Sequence, residues 1–358
     1  MPRERVLEAL DVTLSSKWVG EGPRVKEFEQ AFSTYIGNPH CVAVNSCTSA
    51  LELAYDLAGI KEGDEVVTPV LTCTATNHPL LRRRANIKFC DVDPITLNVT
   101  YETLSEAITP KTKAVVIVHL GGEAVEVQWL KERYPGVHII EDCAQALGAR
   151  YKDGTRVGNS GNLCAFSFQA IKHITTGDGG MLICPDLNFE QKAKRRRWFG
   201  IDREAKVKSG WHPQVGGRLT FQVSEAGYKF QMTDIAATIG LVQMGYLDSI
   251  LKTRRRLTQI YQNQLQEHFR LIEHGIGSSN WTFGLFHPQR EAVIEKLAEN
   301  GIESNMVQIR NDIYDIFKPY ANRELVNMDQ VEKTYLYLPL HTNLTDSDVR
   351  RVCDVLKQ

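Results

Sequence analysis

The stretch AFSFQAIKHITTGDGG, residues 165–180, places Lys172 between an apolar run and a glycine-rich loop. The apolar run is typical of a buried strand, and a charged lysine is costly to bury unless its charge is paired or removed. An imine with a carbonyl compound removes that charge, and catalytic lysines often react in this way. The alternative is an ordinary loop lysine whose amine reaches solvent.

A second polar cluster follows the apolar run CVAV and consists of Ser46, Cys47, Thr48 and Ser49 at the start of a helical pattern. Unpaired N–H groups and the helix dipole at such a position attract an anion, so the cluster suits a phosphate group. The alternative is an ordinary N-cap, because serine and threonine are common there, and for this cluster taken alone the cap is the simpler explanation.

A third candidate is Asp142, which ends the apolar run of HIIEDCAQALGA. Its carboxylate could cap the next helix, or it could hold a proton on a heteroaromatic nitrogen. Gln145 follows three residues later and would face the same side of a helix. An amine, an anion site and a carboxylate together match the aldehyde, phosphate and ring nitrogen of pyridoxal 5'-phosphate (PLP), so we predict this cofactor.

These residues must be positioned by an alternation of helices and strands that starts near residue 24. Helical patterns are PRVKEFEQAFSTYIG, with Pro23 in the first turn and Gly37 as C-terminal cap, TSALELAYDLAG, and residues 100–108 and 124–133. Strand patterns are CVAV, DEVVTP, NIKFCDV, KAVVIVHL, VHIIEDCA, NLCAFSFQ and GGMLICP. Strands this apolar favour an α/β fold whose mostly parallel sheet is wrapped by helices, with ligands at the carboxyl ends of the strands.

Beyond residue 230 the pattern changes to long helices, TDIAATIGLVQMGYL and then residues 246–268. The last ninety or so residues mix short strands and helices. We therefore predict a large domain over residues 14–245 and a smaller α+β domain over residues 246–358, which the first 13 residues join.

The composition of the chain argues against a nucleic-acid-binding, a membrane-spanning or a secreted protein. The 358 residues carry a formal net charge of -1, with 42% hydrophobic and 24% charged side chains, and no excess of basic charge points to nucleic acid. No apolar run is long enough to cross a membrane, and MPRERVLEAL lacks the features of a signal peptide. The eight cysteines include no CxxC pair, so we predict no metal site, reduced thiols and a cytoplasmic location.

The chain resembles the sugar aminotransferases named for DegT, DnrJ, EryC1 and StrS, which belong to the aspartate aminotransferase superfamily of fold type I. The similarity runs from WVGEGPRVKEFEQAF through NSCTSALELA, EDCAQALGA, SFQAIKHITTGDGGML and GYKFQMTDIAATIGLVQM to LPLHTNLTD. The resemblance implies that Lys172 holds the cofactor as an imine, that Asp142 lies at the pyridine nitrogen and that Gln145 lies near the ring hydroxyl. Around the phosphate or the lysine it implies Thr48, Ser49, Ser167 and Gln169.

Two further implications concern the neighbouring subunit and the cofactor ring. In the family, the segment matching GYKFQM reaches into the partner's site, which implies a homodimer in which Lys229 approaches the partner's phosphate. Many relatives carry an aromatic residue that stacks on the ring within the segment matching PVLTCTATNHP, whereas this chain has Cys73 there. A thiol can still pack against a ring face.

The implied reaction moves an amino group from an amino acid, glutamate being the expected donor, to a nucleotide-linked keto-deoxysugar, for which a 4-keto-6-deoxy sugar is the expected acceptor. One alternative is a sugar 3-dehydratase of the same family, in which a histidine replaces the lysine; Lys172 argues for transamination. Another is a regulatory protein that keeps the cofactor-binding fold, although no helix-turn-helix segment or basic extension is evident.

Two basic runs and two histidines have open interpretations. Lys194 to Arg197 and Arg254 to Arg256 could contact a diphosphate, but both fall on helical patterns and a solvated helix face is the more ordinary explanation. His119, at the end of AVVIVHL, could face the site or be structural. His173 is notable only for its position beside Lys172.

Overall fold

The computed structural model describes residues 2–202, 223, 225–321 and 324–358. In the N-terminal half, helices alternate with strands as the sequence predicts. The helices are α1 (Arg3–Ser15), α2 (Pro23–Ile36), α3 (Cys47–Leu57), α4 (Thr74–Arg82), α5 (Tyr101–Ala107), α6 (Gln128–Arg133) and α7 (Leu187–Arg196). The strands are β1 (Cys41–Val44), β2 (Glu65–Pro69), β3 (Asn86–Cys90), β4 (Thr112–Val118), β5 (His138–Asp142), β6 (Leu163–Ser167) and β7 (Gly180–Ile183).

These seven strands form one sheet in the order β1-β7-β6-β5-β4-β2-β3. All neighbouring pairs are parallel except the two that involve β7, which is antiparallel to both β1 and β6. The prediction of a mostly parallel α/β sheet is confirmed. Strands β1, β2, β4, β5 and β6 therefore end at the same edge, where β7 begins.

The sheet is buried on both faces, because alternate side chains enter two different apolar clusters. Val116 and Val118 of β4 pack on one face, whereas Val115 and Ile117 pack on the other. The second face is covered in part by α2, whose Phe28 and Phe32 make edge-to-face contacts with Phe168. Burial on both faces explains why the strands read as continuous apolar runs.

The C-terminal half contains α8 (Asp234–Met244), α9 (Leu247–Leu265), α10 (Arg290–Glu299), α11 (Val326–Val331) and α12 (Asp346–Lys357). Its strands β8 (Arg270–Leu271), β9 (Phe283–Phe286) and β10 (Tyr335–Leu338) form an antiparallel sheet. A third apolar cluster joins this sheet to α9 and α12. The second sheet lies after residue 245, and the domain boundary there stays a prediction. Helix α1 packs along α8, where Thr13 and Thr238 share a hydrogen bond of 2.8 Å.

Helix termini follow the sequence signals. Pro23 opens α2 and Gly37 ends it in the left-handed conformation, with φ of 89°. Helix α6 covers only the second part of the predicted range 124–133, because residues 123–127 form an irregular connection. Among the helices of the described residues, none has both the length and the apolar composition that a membrane span requires.

Candidate active site

The strand ends bring the candidate residues to one edge of the large sheet. Asp142 is the last residue of β5 and Ser167 is the last residue of β6. Val44 of β1 and Ser167 both pair with Gly180, the first residue of β7. The sheet therefore aligns the ends of β1, β6 and β5 with the loop that follows β6 and carries Lys172.

The start of α3 has the geometry of an anion site. Ser46 is the N-cap, and its Oγ accepts the N–H of Ser49 at 3.1 Å. The Ser49 Oγ lies 3.0 Å from the Ser46 Oγ and donates to Asn45 Oδ1 at 2.7 Å. Helix geometry gives the N–H groups of Cys47 and Thr48 no intrahelical acceptor, so they are directed outward from the helix end. The cap interpretation is correct for Ser46, and it leaves two donors for an anion.

Gly180 allows β7 to approach this helix end closely. A Cβ atom at position 180 would lie 2.5 Å from the carbonyl carbon and oxygen of Ser46 and 2.7 Å from the nitrogen of Cys47. Real Cβ atoms do not approach backbone so closely, and backbone cannot yield as a flexible side chain can. The position of the Ser46–Cys47 peptide therefore depends on the absence of a side chain at Gly180.

We expect Gly180→Ala to displace the start of α3 and to lower the affinity for PLP by roughly tenfold or more, because overpacking of this kind costs about 1–3 kcal/mol. Gly136→Ala is the matched control, since an added Cβ there meets nothing within 4 Å. Cofactor affinity is measured by absorbance titration of each variant. Equal affinities in the two variants would contradict the role assigned to the close approach.

Asp142 is a buried carboxylate, 5% exposed, that protein donors only partly satisfy. Its Oδ2 accepts the hydroxyl of Thr76 at 2.8 Å, and its Oδ1 accepts the N–H of Ala144 at 3.0 Å. Burial raises the pKa of Asp142, against the lowering effects of these hydrogen bonds and of Lys172. Within the described part of the chain no basic nitrogen lies within ion-pair distance of this carboxylate, so a protonated ring nitrogen would supply its missing cation.

The side-chain amine of Lys172 lies at the same edge of the sheet. Its Nζ lies over the face of Trp281, 4.2 Å from the ring centroid. Burial lowers the pKa of Lys172, and the charges of Asp142, Cys47 and Cys73 oppose that effect. The lysine is therefore close enough to these three groups to sense them, and its neutral, nucleophilic form is favoured relative to a lysine in water.

The other predicted site residues differ in how many hydrogen bonds they make within the protein. Ser167 is buried, and its Oγ accepts the N–H of Gln169, whose carbonyl accepts the N–H of Lys172 at 2.9 Å. The Oε1 of Gln145 accepts the N–H of Gly121 at 2.7 Å, which fixes the side chain beside the end of β4. Cys73 is exposed and directly precedes α4. Its predicted contact with the cofactor ring stays a prediction.

Lys229 is an exposed side chain next to the first strand. Its carbonyl accepts a hydrogen bond from Asn45 Nδ2 at 3.4 Å, and its backbone forms a bridge with Trp198. Its Nζ lies 5.6 Å from the centroid of the Phe199 ring. The segment around Lys229 thus runs beside the β1–α3 connection of its own chain, with the amine accessible from outside.

His119 belongs to a buried network on the other side of β5 and is structural. Its Nε2 lies 2.8 Å from Glu141 Oε2, and its Nδ1 accepts the N–H of Val125 at 3.0 Å, so both ring nitrogens are used. Glu141 also accepts hydrogen bonds from Tyr151, Ser160 and Asn162. Its donors lower the pKa of Glu141 to about 2, despite burial.

This network makes a prediction about acid stability. Because the pKa of Glu141 in the folded protein lies below its ordinary value of 4.5, the ionised carboxylate stabilises the fold at neutral pH, and this contribution is lost as pH falls from about 4.5 towards 2. We expect Glu141→Gln to lower the free energy of unfolding at pH 7 by about 3 kcal/mol, and by less at pH 3. Denaturant unfolding at both pH values measures this; a pH-independent difference would contradict it.

Most of the basic residues in the two runs pair within the chain, whereas Arg255 and Arg256 of the second run are exposed, as expected for a solvated helix face. Lys194 pairs with Glu190, and the three arginines of the first run pair with carboxylates at 2.6–2.9 Å: Arg195 with Glu225, Arg196 with Asp56 and Glu225, and Arg197 with Glu21 and Glu29. In the second run Arg254 is buried against backbone carbonyls and Arg256 pairs with Asp346. Apart from Glu190, which lies one helical turn before Lys194, the pattern of basic residues did not reveal these partners because the carboxylates are distant in sequence.

The parts of PLP find matching chemistry along this edge. The N–H groups at the start of α3 suit its phosphate, the incompletely satisfied carboxylate of Asp142 suits a protonated ring nitrogen, and the amine of the half-buried Lys172 suits its aldehyde. Together with a mainly parallel sheet between helices, this arrangement defines the class of PLP-dependent enzymes of fold type I.

Within that class, the chain belongs to the DegT/DnrJ/EryC1/StrS aminotransferase family, whose model matches residues 2–357. The spore coat polysaccharide biosynthesis protein SpsC of Bacillus subtilis is 34% identical, over 99% of this chain and 94% of that protein. The crystal structure of sugar aminotransferase CalS13 from Micromonospora echinospora matches with a TM-score of 0.88 and 33% identity, over 98% of this chain and 96% of that one. The pyridoxamine-phosphate form of Spr1654 from Streptococcus pneumoniae matches with a TM-score of 0.88 and 27% identity, over 100% of this chain and 96% of that one.

Sequence reasoning missed three residues that shape the site: Thr76, Gly180 and Trp281. Thr76 is one of several threonines in one short segment, and only the fold shows which of them reaches Asp142. Trp281 lies more than a hundred residues from Lys172. A glycine at the first position of a strand was a usable signal, because it often marks a close approach of another backbone.

Proposed function

We propose that the protein transfers an amino group from glutamate to the ketone of a nucleotide-linked keto-deoxysugar, a 4-keto-6-deoxy sugar, and so makes an amino sugar. The observation that carries the proposal is the half-buried Lys172, whose amine lies against Trp281 and senses the charge of Asp142. Within this aminotransferase family, CalS13 is a sugar aminotransferase and SpsC is named for polysaccharide biosynthesis. Both support a sugar acceptor.

When bound, PLP supplies an electron-accepting ring that stabilises negative charge on the donor's α carbon. The role of Lys172 is to hold the cofactor and, once its amine is free, to move a proton between that α carbon and the C4' atom. Burial lowers the pKa of Lys172, which makes the amine a more available proton acceptor near neutral pH.

Asp142 keeps the ring nitrogen protonated, which lets the ring accept electron density. The Thr76 hydroxyl and the Ala144 N–H fix the carboxylate so that one lone pair on each oxygen is occupied and the others are directed elsewhere. Cys47 Sγ lies 4.0 Å from Asp142 Oδ1, which places the start of α3 next to the same carboxylate.

Residues at the start of α3 would hold the phosphate: the N–H groups of Cys47 and Thr48 are available as donors, and the Ser49 hydroxyl would exchange its hydrogen bond to Asn45 Oδ1 for the phosphate. Ser167 and Gln169 would support this end of the site from the loop after β6, and Gln145 and Cys73 would contact the ring. The working unit is a homodimer, in which Lys229 reaches the phosphate of the partner's site; the exposure of Lys229 beside the β1–α3 connection supports this arrangement.

The dehydratase alternative has less support, since an amine rather than an imidazole occupies the position beside Asp142. His173, the residue after Lys172, is buried, and its Nε2–H donates to the carbonyl of Ser279. The intact set of cofactor groups likewise argues against a purely regulatory protein. The eight unpaired cysteines support a reducing compartment, and we propose the cytoplasm.

The decisive test incubates the PLP-loaded protein with glutamate and a panel of nucleotide-linked keto sugars and follows products by mass spectrometry. Replacement of the ketone oxygen by an amino group, with formation of 2-oxoglutarate, is the expected outcome. Loss of a sugar hydroxyl without gain of nitrogen would establish the dehydratase instead. If no amino donor changes the absorbance of the loaded protein, the proposal fails.

A further inference from the structure

The loop that carries Lys172 is joined to a remote segment of the chain on both sides of the lysine. The carbonyl of Ile171 accepts the indole N–H of Trp281 at 3.2 Å. The Nε2 of His173 lies 3.2 Å from the carbonyl oxygen of Ser279, and a histidine beside a carbonyl donates its N–H. The two residues that flank the lysine are thus hydrogen-bonded to residues 279–281, more than one hundred positions later.

The same segment contacts the reactive atom. The Trp281 ring is 6% exposed and its face lies 4.2 Å from the Lys172 Nζ. An ammonium group over an indole face is stabilised by the ring's quadrupole, and the effect increases when water is excluded. Trp281 therefore both holds the loop, through its N–H, and contacts the amine, through its face.

Residues 279–281 are themselves fixed from two directions. The N–H of Trp281 donates to Gly121 at 3.0 Å and the N–H of Ser279 donates to Gly122 at 2.9 Å, at the turn that follows β4. From the opposite side, the guanidinium of Arg254 donates to the carbonyls of Asn280, Trp281 and Leu340 at 2.9–3.3 Å.

Arg254 is an unusual anchor. It is 5% exposed, its recorded acceptors are backbone carbonyls, and burial lowers its pKa to about 10. Carbonyl dipoles compensate a buried charge less well than a carboxylate does, so burial of this guanidinium is costly in free energy. We interpret this cost as a sign that the position of residues 280–281 is important for the Lys172 site.

We propose that Trp281, anchored by Arg254, is the positioning residue that fixes the Lys172 loop and sets the proton affinity of its amine. This inference rests on the proposed role of Lys172. The inference adds a contact from the C-terminal half of the chain. The surroundings of the Lys172 amine are fully formed only when residues 279–281 pack against the end of β4.

The test measures the reactivity of Lys172 in the full-length, cofactor-free chain by competitive labelling with acetic anhydride across a range of pH, read by peptide mass spectrometry. In Trp281→Leu we expect the midpoint of the pH curve for Lys172 to move to lower pH. This corresponds to a roughly 2- to 30-fold larger free-amine fraction at pH 8, from loss of the cation–π contact. The exposed Lys229, read in the same samples, is the reference whose curve stays unchanged.

Two further variants test separately the contact of the Trp281 ring with Lys172 and the anchoring of Trp281 by Arg254. They also show whether a change in Trp281→Leu arises from misfolding. Trp281→Phe keeps a ring face and loses the indole N–H, so we expect less than half the midpoint change seen with leucine. Arg254→Met leaves Trp281 intact, and we expect it to move the midpoint in the same direction as Trp281→Leu. A midpoint that stays in place or rises in Trp281→Leu, or identical curves for leucine and phenylalanine, would overturn the inference. Whether Lys172 carries the cofactor is judged separately by borohydride trapping, so the two failures are distinguishable.

Discussion

Replacing Lys172 by alanine should lower kcat by at least about 10²- to 10⁴-fold, the range that a positioned acid–base group contributes. The amine combines a lowered pKa with a position close enough to Asp142 to sense its charge. The variant should also release PLP on dialysis, because only the non-covalent contacts at the start of α3 are left to hold it. Steady-state kinetics and absorbance spectra after dialysis measure both effects.

Lys172→Arg is the matched comparison, because it keeps a positive charge near Trp281 and Asp142 but cannot form a covalent bond with an aldehyde or accept a proton at neutral pH. We expect it to lose activity as fully as the alanine variant. An arginine variant with more than about a tenth of the wild-type kcat would show that charge, rather than a free amine, is what the site requires.

The second large effect is expected for Asp142→Asn, which should lower kcat by about 10²- to 10³-fold, as for other preorganised charges in water-excluded sites. An asparagine can still accept the hydroxyl of Thr76 or the N–H of Ala144, so the local geometry is largely kept. What it cannot do is stabilise a positive charge on the ring nitrogen. Kinetics at saturating glutamate isolates this effect from binding.

Stability provides the control for Asp142→Asn. Burial raises the pKa of Asp142, so in the cofactor-free protein ionisation opposes folding once the pH exceeds the pKa of the unfolded chain. The neutral amide removes this opposition, and we expect the cofactor-free variant to unfold at an equal or higher temperature than the wild type at pH 7. Loss of activity together with a clearly lower melting temperature would indicate damage to the fold instead.

Much of the fold could be predicted from the sequence, because the local sequence patterns match the burial of the strands and the ends of the helices in the structure. The seven strands of the large sheet are apolar at successive positions, as burial on both faces requires, and each was predicted. Proline at the start and glycine at the end of α2 mark that helix by backbone geometry alone. Lys172, Asp142 and the start of α3 could be grouped in advance because strands of a parallel sheet deliver their carboxyl ends to one edge.

Contacts between segments remote in sequence could not be predicted in this way. The basic run that ends at Arg197 looked like a solvated face or a diphosphate site, yet Arg197 is buried between Glu21 and Glu29. His119 could equally have faced the site, and only the pairing of β4 with β5 places it against Glu141. Trp281 carries no local signal of its contact with Lys172, since that contact depends on how the C-terminal half docks.

The most direct measurement reduces the PLP-loaded protein with borohydride, digests it and locates the pyridoxyl group by peptide mass spectrometry. We predict that the group is found on Lys172, in the peptide that contains the segment QAIKHITTGDGG, and that the visible absorption band disappears on reduction. A pyridoxyl group on a different lysine, or a loaded protein in which reduction attaches the cofactor to none, would contradict the assignment of Lys172 as the reactive amine.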